Sequence, residues 1–226
     1  KGSFTNGSYA LGFPYLDPAA LAELGFIVVQ IDGRGTPIRH KAFTDESYGR
    51  LESVSNLDDH VAGIKQLAKR YPYMDLQRVG ITTHMAGGPG GIQGLLQHPE
   101  FYKVGVALMP HDSRLAPSQM WGEKFEGLSG PSDEGLYPEA MIEKLQGKLL
   151  LMHGMLDQNL PPAIVFRIIE ALQKANKDFE LLLFPTLGHA TNGYLVRRSY
   201  DFLVRHLLET EPPKEYKLTS WIDNLL

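Results

Sequence analysis

The chain has 226 residues, 43% hydrophobic and 21% charged, with a net charge of −4. That length suits one globular domain with a sizeable core, and the acidic balance with scattered Lys and Arg leaves no basic surface for nucleic acid. No apolar run approaches the roughly 20 residues that span a bilayer, Lys1-Gly2-Ser3-Phe4-Thr5 has no secretory h-region, and the absence of Cys excludes a disulfide framework, a thiolate metal site and a Cys nucleophile.

In chain order, residues 1–16 are rich in Gly, Ser and aromatics and read as a loop. Asp17-Pro18-Ala19-Ala20-Leu21-Ala22-Glu23-Leu24 reads as a short N-capped helix with Pro at its first position, closed by Gly25. Phe26–Ile31 is a β-branched run of the kind buried on both faces of a parallel sheet. It stops at the turn signal Asp32-Gly33-Arg34-Gly35-Thr36-Pro37, and a long loop follows to Leu51. Leu57 to Arg70 places Val61, Ile64, Leu67 and Ala68 at helical spacing. Val79-Gly80-Ile81-Thr82-Thr83 begins a strand that runs through a glycine cluster, Gly87-Gly88-Pro89-Gly90-Gly91, into the helix-forming Ile92–Gln97.

Tyr102–Met109 is the next strand, ending at Pro110. Residues 111–146 are polar and irregular, with a short helix predicted over Glu139–Leu145. Lys148–His153 is a strand, Pro162–Ala175 a helix with Ile164, Ile168, Ile169 and Leu172 on one stripe, and Phe179–Phe184 the last strand. A long helix is predicted from Tyr194 to Leu208, Pro212-Pro213 marks the domain end, and the tail to Leu226 reads as a separate amphipathic turn or helix. Strands alternating with helices give an α/β fold with a mainly parallel sheet.

A buried strand turning sharply into a helix is the geometry of the nucleophile elbow, whose pattern G-x-S-x-G sets a serine at the apex. On this chain the apex falls on Met85, with Thr83 two residues before and Gly87 two residues after. In the α/β-hydrolase order, acid and histidine follow the nucleophile, each past the end of a strand. Asp157, in His153-Gly154-Met155-Leu156-Asp157-Gln158-Asn159-Leu160-Pro161, and His189, in Pro185-Thr186-Leu187-Gly188-His189, stand in those places. The acid would hold the imidazole tautomer, and the Ala86 backbone N–H would be one oxyanion donor. Each piece has a plainer reading. A lone His after a strand is commonly a loop residue, a lone Asp there is commonly a helix cap, and a glycine cluster can cradle phosphate, although the Walker Lys and the G-x-G-x-x-G spacing are missing. The shared order of all the pieces favours the hydrolase layout. No cofactor and no metal are called for. Thr82, Thr83 and Thr191 offer hydroxyls, but Thr82 and Thr83 precede the apex, and His84 reads as an ordinary elbow residue.

The chain resembles the catalytic domain of the prolyl oligopeptidase family of serine peptidases, in its bacterial dipeptidyl peptidase IV-like branch. The resemblance is carried by Gln30-Ile31-Asp32-Gly33-Arg34-Gly35-Thr36-Pro37, Asp59-His60-Val61-Ala62-Gly63-Ile64, Arg78-Val79-Gly80-Ile81, His98-Pro99, Phe101-Tyr102-Lys103-Val104, Trp121-Gly122-Glu123, the Asp157 loop and Gly188-His189. It implies an α/β-hydrolase fold over residues 1–217 with a tail at 218–226. It gives the acid and base roles to Asp157 and His189, contact with the substrate backbone to Asn159, and a wall of the pocket for proline or another small side chain to Trp121. It also implies a peptide substrate or ligand, an attached N-terminal β-propeller, homodimerisation through this domain, and export to the periplasm or medium. The strand and loop that carry a second oxyanion donor, a tyrosine, are expected to be missing, so the chain reads as a fragment or processed portion. The departure lies at the elbow, where Met85 replaces Ser and Thr83 replaces Gly. The expectation is therefore lost or very weak hydrolysis; the alternatives are an unconventional nucleophile and a peptide-binding or dimerisation domain of a larger protein.

Overall fold

A strand that is apolar on both sides must be covered on both sides, and that requirement organises this chain. The computed structural model describes residues 2–5, 18–36, 39–50, 56–84, 88–110, 123–125, 127, 137 and 139–216. In order these form β1 (Gly2–Thr5), α1 (Pro18–Glu23), β2 (Ile27–Val29), α2 (Lys41–Asp45), α3 (Leu57–Arg70), β3 (Val79–His84), α4 (Gly88–Gln97), β4 (Tyr102–Leu108), α5 (Glu139–Ile142), β5 (Lys148–Gly154), α6 (Pro162–Lys174), β6 (Glu180–Phe184) and α7 (Gly193–Leu203), continued by a π-helical turn at Val204–Leu208. The strands make one six-stranded sheet in the order β2-β1-β3-β4-β5-β6, and every neighbouring pair is parallel.

Alternation along the central strands sorts their side chains into two cores. Ile81, Ala107, Leu149 and Leu151 pack with Val61 and Ile64 of α3, Leu95 of α4 and Ile168 and Leu172 of α6. Val104, Val106, Leu108, Leu150 and Met152 pack on the opposite face with Leu21 of α1, Leu195 and Leu203 of α7 and Leu207 of the π-helical turn. The product is a sheet with helices on both faces, as the alternation of elements implies. Tyr102 sits in the first core although the even-numbered residues after it face the second. The pairing explains this: Val79 faces Tyr102 but Gly80 faces Val104, so a bulge at Lys103 flips the alternation.

Some elements differ from the sequence reading. Residues 1–16 read as loop, yet Gly2–Thr5 is a strand paired in parallel with both β2 and β3. It is four residues long with one large apolar side chain, too little for a sequence signal; the ladders on its two sides make it a strand. The loop after this strand, 6–17, lies outside the described residues. The long loop after β2 contains the short helix α2, whose N-cap is His40, with Nδ1 accepting the Phe43 N–H. At the other end α7 begins at Gly193 and turns π-helical from Val204, where one continuous α-helix was expected. The chain stays attached beyond Pro212: the Tyr216 hydroxyl donates to Asp201 Oδ1 at 2.9 Å, and burial with that bond pushes the phenol pKa up to about 12. Residues 217–226, and with them the tail expected at 218–226, lie outside the described residues.

Two stretches that carry the family resemblance meet in this fold. Arg34, in the turn after β2, donates its backbone N–H to Asp59 Oδ2 at 2.7 Å, and its guanidinium contacts the same carboxylate. Burial acts to raise the Asp59 pKa, but the hydrogen bonds from Arg34 prevail and hold it below the ordinary carboxylate range. Asp58 and Asp59 also lie in the first turn of α3, where carboxylates suit the helix dipole.

The junction of β3 and α4 is close-packed. A Cβ on Gly91 would lie 2.7 Å from Thr83 Oγ1 and 2.8 Å from the Val106 carbonyl oxygen, so only glycine lets the helix approach the sheet here. Thr83 Oγ1 accepts the Gly91 N–H at 2.9 Å and donates to the Val106 carbonyl at 3.3 Å. The bond satisfies one of the amides that a helix leaves open in its first turn. Replacing Thr83 by Val strands a buried N–H and is expected to cost about 1–3 kcal/mol, whereas Thr83→Ser keeps the acceptor and loses less. Urea denaturation of the two variants checks this, and equal losses would contradict it.

Candidate active site

In a parallel sheet all strands deliver their carboxyl ends to one edge, and that edge is where ligand-binding loops gather. The register fixes which residues share it: His84 of β3 pairs Leu108 of β4, Leu108 pairs Met152 of β5, and Met152 pairs Leu182 of β6. The loops after β3, β5 and β6 thus leave side by side. The first joins β3 to α4 through residues 85–87 alone, a short strand-to-helix connection of the kind an elbow needs. Met85 and Ala86 lie within it, and these two residues and Trp121 are outside the described residues.

The other two loops are laced to each other. Met155 N–H donates to the Phe184 carbonyl and Leu156 N–H to the Leu187 carbonyl, each at 2.9 Å. Gly154, the last residue of β5, makes room for this: a Cβ there would lie 2.5 Å from the carbonyl oxygens of both Leu187 and Gly188. Beyond the lacing the loops present Asp157 and His189. Asp157 Oδ2 accepts the His189 Nδ1–H at 2.8 Å, with the Asp157 side chain 0% and the His189 side chain 14% exposed. Asp157 Oδ1 accepts the backbone N–H groups of Asn159 at 2.9 Å and Leu160 at 2.8 Å. A buried carboxylate is thereby satisfied at both oxygens. Because a carboxylate only accepts, the proton of the neutral imidazole sits on Nδ1, which leaves a lone pair on Nε2. A tight turn, with Ala190 N–H donating to the Gly188 carbonyl at 2.9 Å, sets His189 at its apex.

Asn159 is exposed beside this pair. Sequence reasoning passed over a further residue, in the strand just before this loop. His153 is wholly buried, and its Nε2–H donates to the Leu160 carbonyl at 2.8 Å. No motif flags a histidine at the end of a buried strand; only its polarity within the apolar run Leu149-Leu150-Leu151-Met152 gives it away. His84 also lies within electrostatic reach of the pair. Burial pushes its pKa down to about 4, with the His189 ring adding to the fall and the Asp157 charge opposing it. Burial lowers His153 as well, and takes His60 of α3 to about 4. Among the described residues no cluster of His, Asp and Glu is arranged to hold a metal ion, and no helix is long and apolar enough to cross a membrane.

These histidines set a pH dependence of stability. With folded pKa values near 4 for His84 and His60, against about 6.5 in the unfolded chain, the unfolded state binds more protons between those limits. Stability is therefore complete above about pH 6.5 and is lost as the pH falls towards about 4. Denaturation midpoints at about pH 7 and about pH 4.5 are expected to show that loss, and His84→Gln to make it smaller; an unchanged pH slope in the variant would count against the assignment. Gly154→Ala is expected to cost about 1–3 kcal/mol by forcing the two loops apart, a loss that calorimetry would read directly.

Comparison with known proteins bears on the family and the fold. The prolyl oligopeptidase family profile matches residues 13–210. The chain is 28% identical to dipeptidyl peptidase 8 of Homo sapiens over 204 residues, covering 88% of this chain and 23% of that protein. It is 25% identical over 183 residues to a Mus musculus protein named inactive dipeptidyl peptidase 10, covering 79% of this chain and 23% of the relative. Among solved structures, Porphyromonas gingivalis dipeptidyl peptidase 4 superposes with a TM-score of 0.75 at 25% identity, covering 91% of this chain and 31% of that one. The chain thus spans about a quarter of the length of the curated relatives it matches. An all-parallel sheet covered on both faces, and a profile match across nearly all of the chain, lead to one conclusion: this protein belongs to the prolyl oligopeptidase family, and the domain it carries is a dipeptidyl-peptidase-like catalytic domain with the α/β-hydrolase fold.

Proposed function

We propose that this domain retains the acid and base of a dipeptidyl or prolyl oligopeptidase-type serine peptidase acting on short peptides, with hydrolysis lost or very weak because Met85 stands at the nucleophile's place. The observation that carries the reading is the Asp157–His189 hydrogen bond of 2.8 Å at the sheet edge from which β3 also leaves. A serine nucleophile needs a base that takes its proton at Nε2 while Nδ1 is held by a carboxylate, and His189 is held in that way. In this reading Asp157 fixes the tautomer and stabilises the imidazolium, His189 is the base, Asn159 contacts the peptide backbone, Trp121 lines the side-chain pocket, and the Ala86 N–H faces the developing oxyanion.

Methionine has no proton to surrender, and its thioether is a poor acyl acceptor. Loss of the nucleophile from a triad costs on the order of 10⁶ in rate. The hydroxyl nearest in sequence, that of Thr83, is buried and engaged between the Gly91 N–H and the Val106 carbonyl, which speaks against a substitute nucleophile there. Relatives named as peptidases and one named as inactive resemble this chain to similar degrees, 28% against 25%, so family membership fits either state. A domain that keeps an organised edge without turnover suits peptide binding, or dimerisation within a longer, propeller-containing protein, better than catalysis.

Hydrolysis of a Gly-Pro or Ala-Pro chromogenic amide and of a simple aryl ester tests this reading. The unsubstituted chain is expected to be silent, Met85→Ser to gain turnover, and Met85→Ser with His189→Ala to lose it again. Turnover by the unsubstituted chain that disappears in His189→Ala would refute the loss of activity and point to another nucleophile.

A further inference from the structure

The Asp157 loop has an anchor that the acid–base reading does not use. Between the end of β5 at Gly154 and the start of α6 at Pro162, the chain must turn so that two amides point back at one carboxylate oxygen. An exposed loop has many conformations, and freezing one costs conformational entropy at every residue. Something has to fix the carbonyl end of the turn. That is His153, the residue before Gly154: it is wholly buried, and its Nε2 lies 2.8 Å from the Leu160 carbonyl oxygen. The amide of the same Leu160 donates to Asp157 Oδ1 at 2.8 Å, and Asp157 Oδ2 binds His189 Nδ1 at 2.8 Å.

We infer that His153 is a positioning residue for the acid–base pair, gripping the Leu160 carbonyl so that the Leu160 and Asn159 amides hold Asp157 in line with His189. The carbonyl can only accept, so His153 carries its proton on Nε2 and its lone pair on Nδ1, which has no hydrogen-bond partner among the described residues. Burial favours this neutral form by lowering the pKa, while the Leu160 carbonyl and the Asp157 charge oppose it and the His189 ring adds to the lowering. A protonated ring would put a second N–H where no acceptor waits among the described residues, so the grip works with His153 neutral. The arrangement resembles the way an outer partner orients a ligand that itself does the chemistry, with the role passed along hydrogen bonds. The inference shares its acid and base with the proposed function, and the test below keeps the two separate.

The test is a histidine NMR experiment on the whole chain, labelled with nitrogen-15 at histidine. An Nδ1–H held by a buried carboxylate gives a far-downfield resonance protected from solvent, assigned to His189 by its loss in Asp157→Asn. The substitutions His153→Gln and His153→Asn are matched polar changes: glutamine sets its amide nitrogen near the place of Nε2, asparagine near that of Nδ1. The resonance is expected to persist in His153→Gln and to be lost or moved upfield in His153→Asn and in the apolar His153→Leu, with cooperative melting retained by the Gln and Asn forms. A resonance unchanged in His153→Asn, or lost equally in His153→Gln, overturns the inference, whether or not His153→Leu folds. Absence of the resonance from the unsubstituted chain removes the pair, and the proposed function with it. A resonance that behaves as expected while Met85→Ser stays inactive overturns the proposed function alone and leaves His153 in its place.

Discussion

A carboxylate with no exposed side-chain surface needs hydrogen-bond donors on both oxygens, and around Asp157 the fold is arranged to supply them. Two amides of its own loop take one oxygen and His189 takes the other. Each donor constrains a different part of the molecule. The amides require the turn before α6 to close back on itself, and the imidazole requires the loop after β6 to reach across to the loop after β5. That reach is short because Gly154 lets backbone touch backbone, where a methyl group would meet two carbonyl oxygens at 2.5 Å. Remove the close approach, and the carboxylate would have to seek water or a proton.

The sheet supplies the rest of the constraint. Parallel strands in continuous register put His84, Leu108, Met152 and Leu182 in one row. Whatever follows β3, β5 and β6 must emerge at the same edge. Residues more than a hundred positions apart in sequence can therefore be brought to one place by strand pairing, with loops of ordinary length doing only the last few ångströms. The apolar faces that hold the sheet between its helices are what make the row rigid, since close-packed interiors resist small shifts.

Much of this was legible in the sequence, and for a physical reason. β4 and β5 are buried almost throughout and are written as largely apolar runs, and α3 is bounded as its apolar stripe and terminal charges imply. The order of the elbow stretch, Asp157 and His189 along the chain, each after a strand, was enough to pair Asp157 with His189 before any coordinates. What escaped was what pairing and packing decide. Gly2–Thr5 becomes a strand only because two neighbours offer it hydrogen bonds. The π-helical turn at Val204–Leu208 leaves no mark in a pattern of apolar spacing. His153 drew no reading of its own, because its meaning depends on a carbonyl seven residues on that only the folded loop presents.

The elbow shows how a family pattern can change without the fold giving way. The pattern calls for small residues around the apex because helix and strand must nearly touch. Here Thr83 occupies a position where the pattern has glycine, and the space its side chain takes is returned from the other partner: Gly91 has no Cβ to meet Thr83 Oγ1 at 2.7 Å, and Gly105 has none to meet the Gly91 carbonyl at 2.4 Å. The hydroxyl then becomes useful as the acceptor for the Gly91 amide. The strand carries the bulk at this interface, and a hydrogen bond comes with it. The contacts that hold β3 against α4 and those that hold the Asp157–His189 pair are separate, so on the proposed reading of Met85 the loss of a nucleophile would leave the strand, the helix and the pair in place.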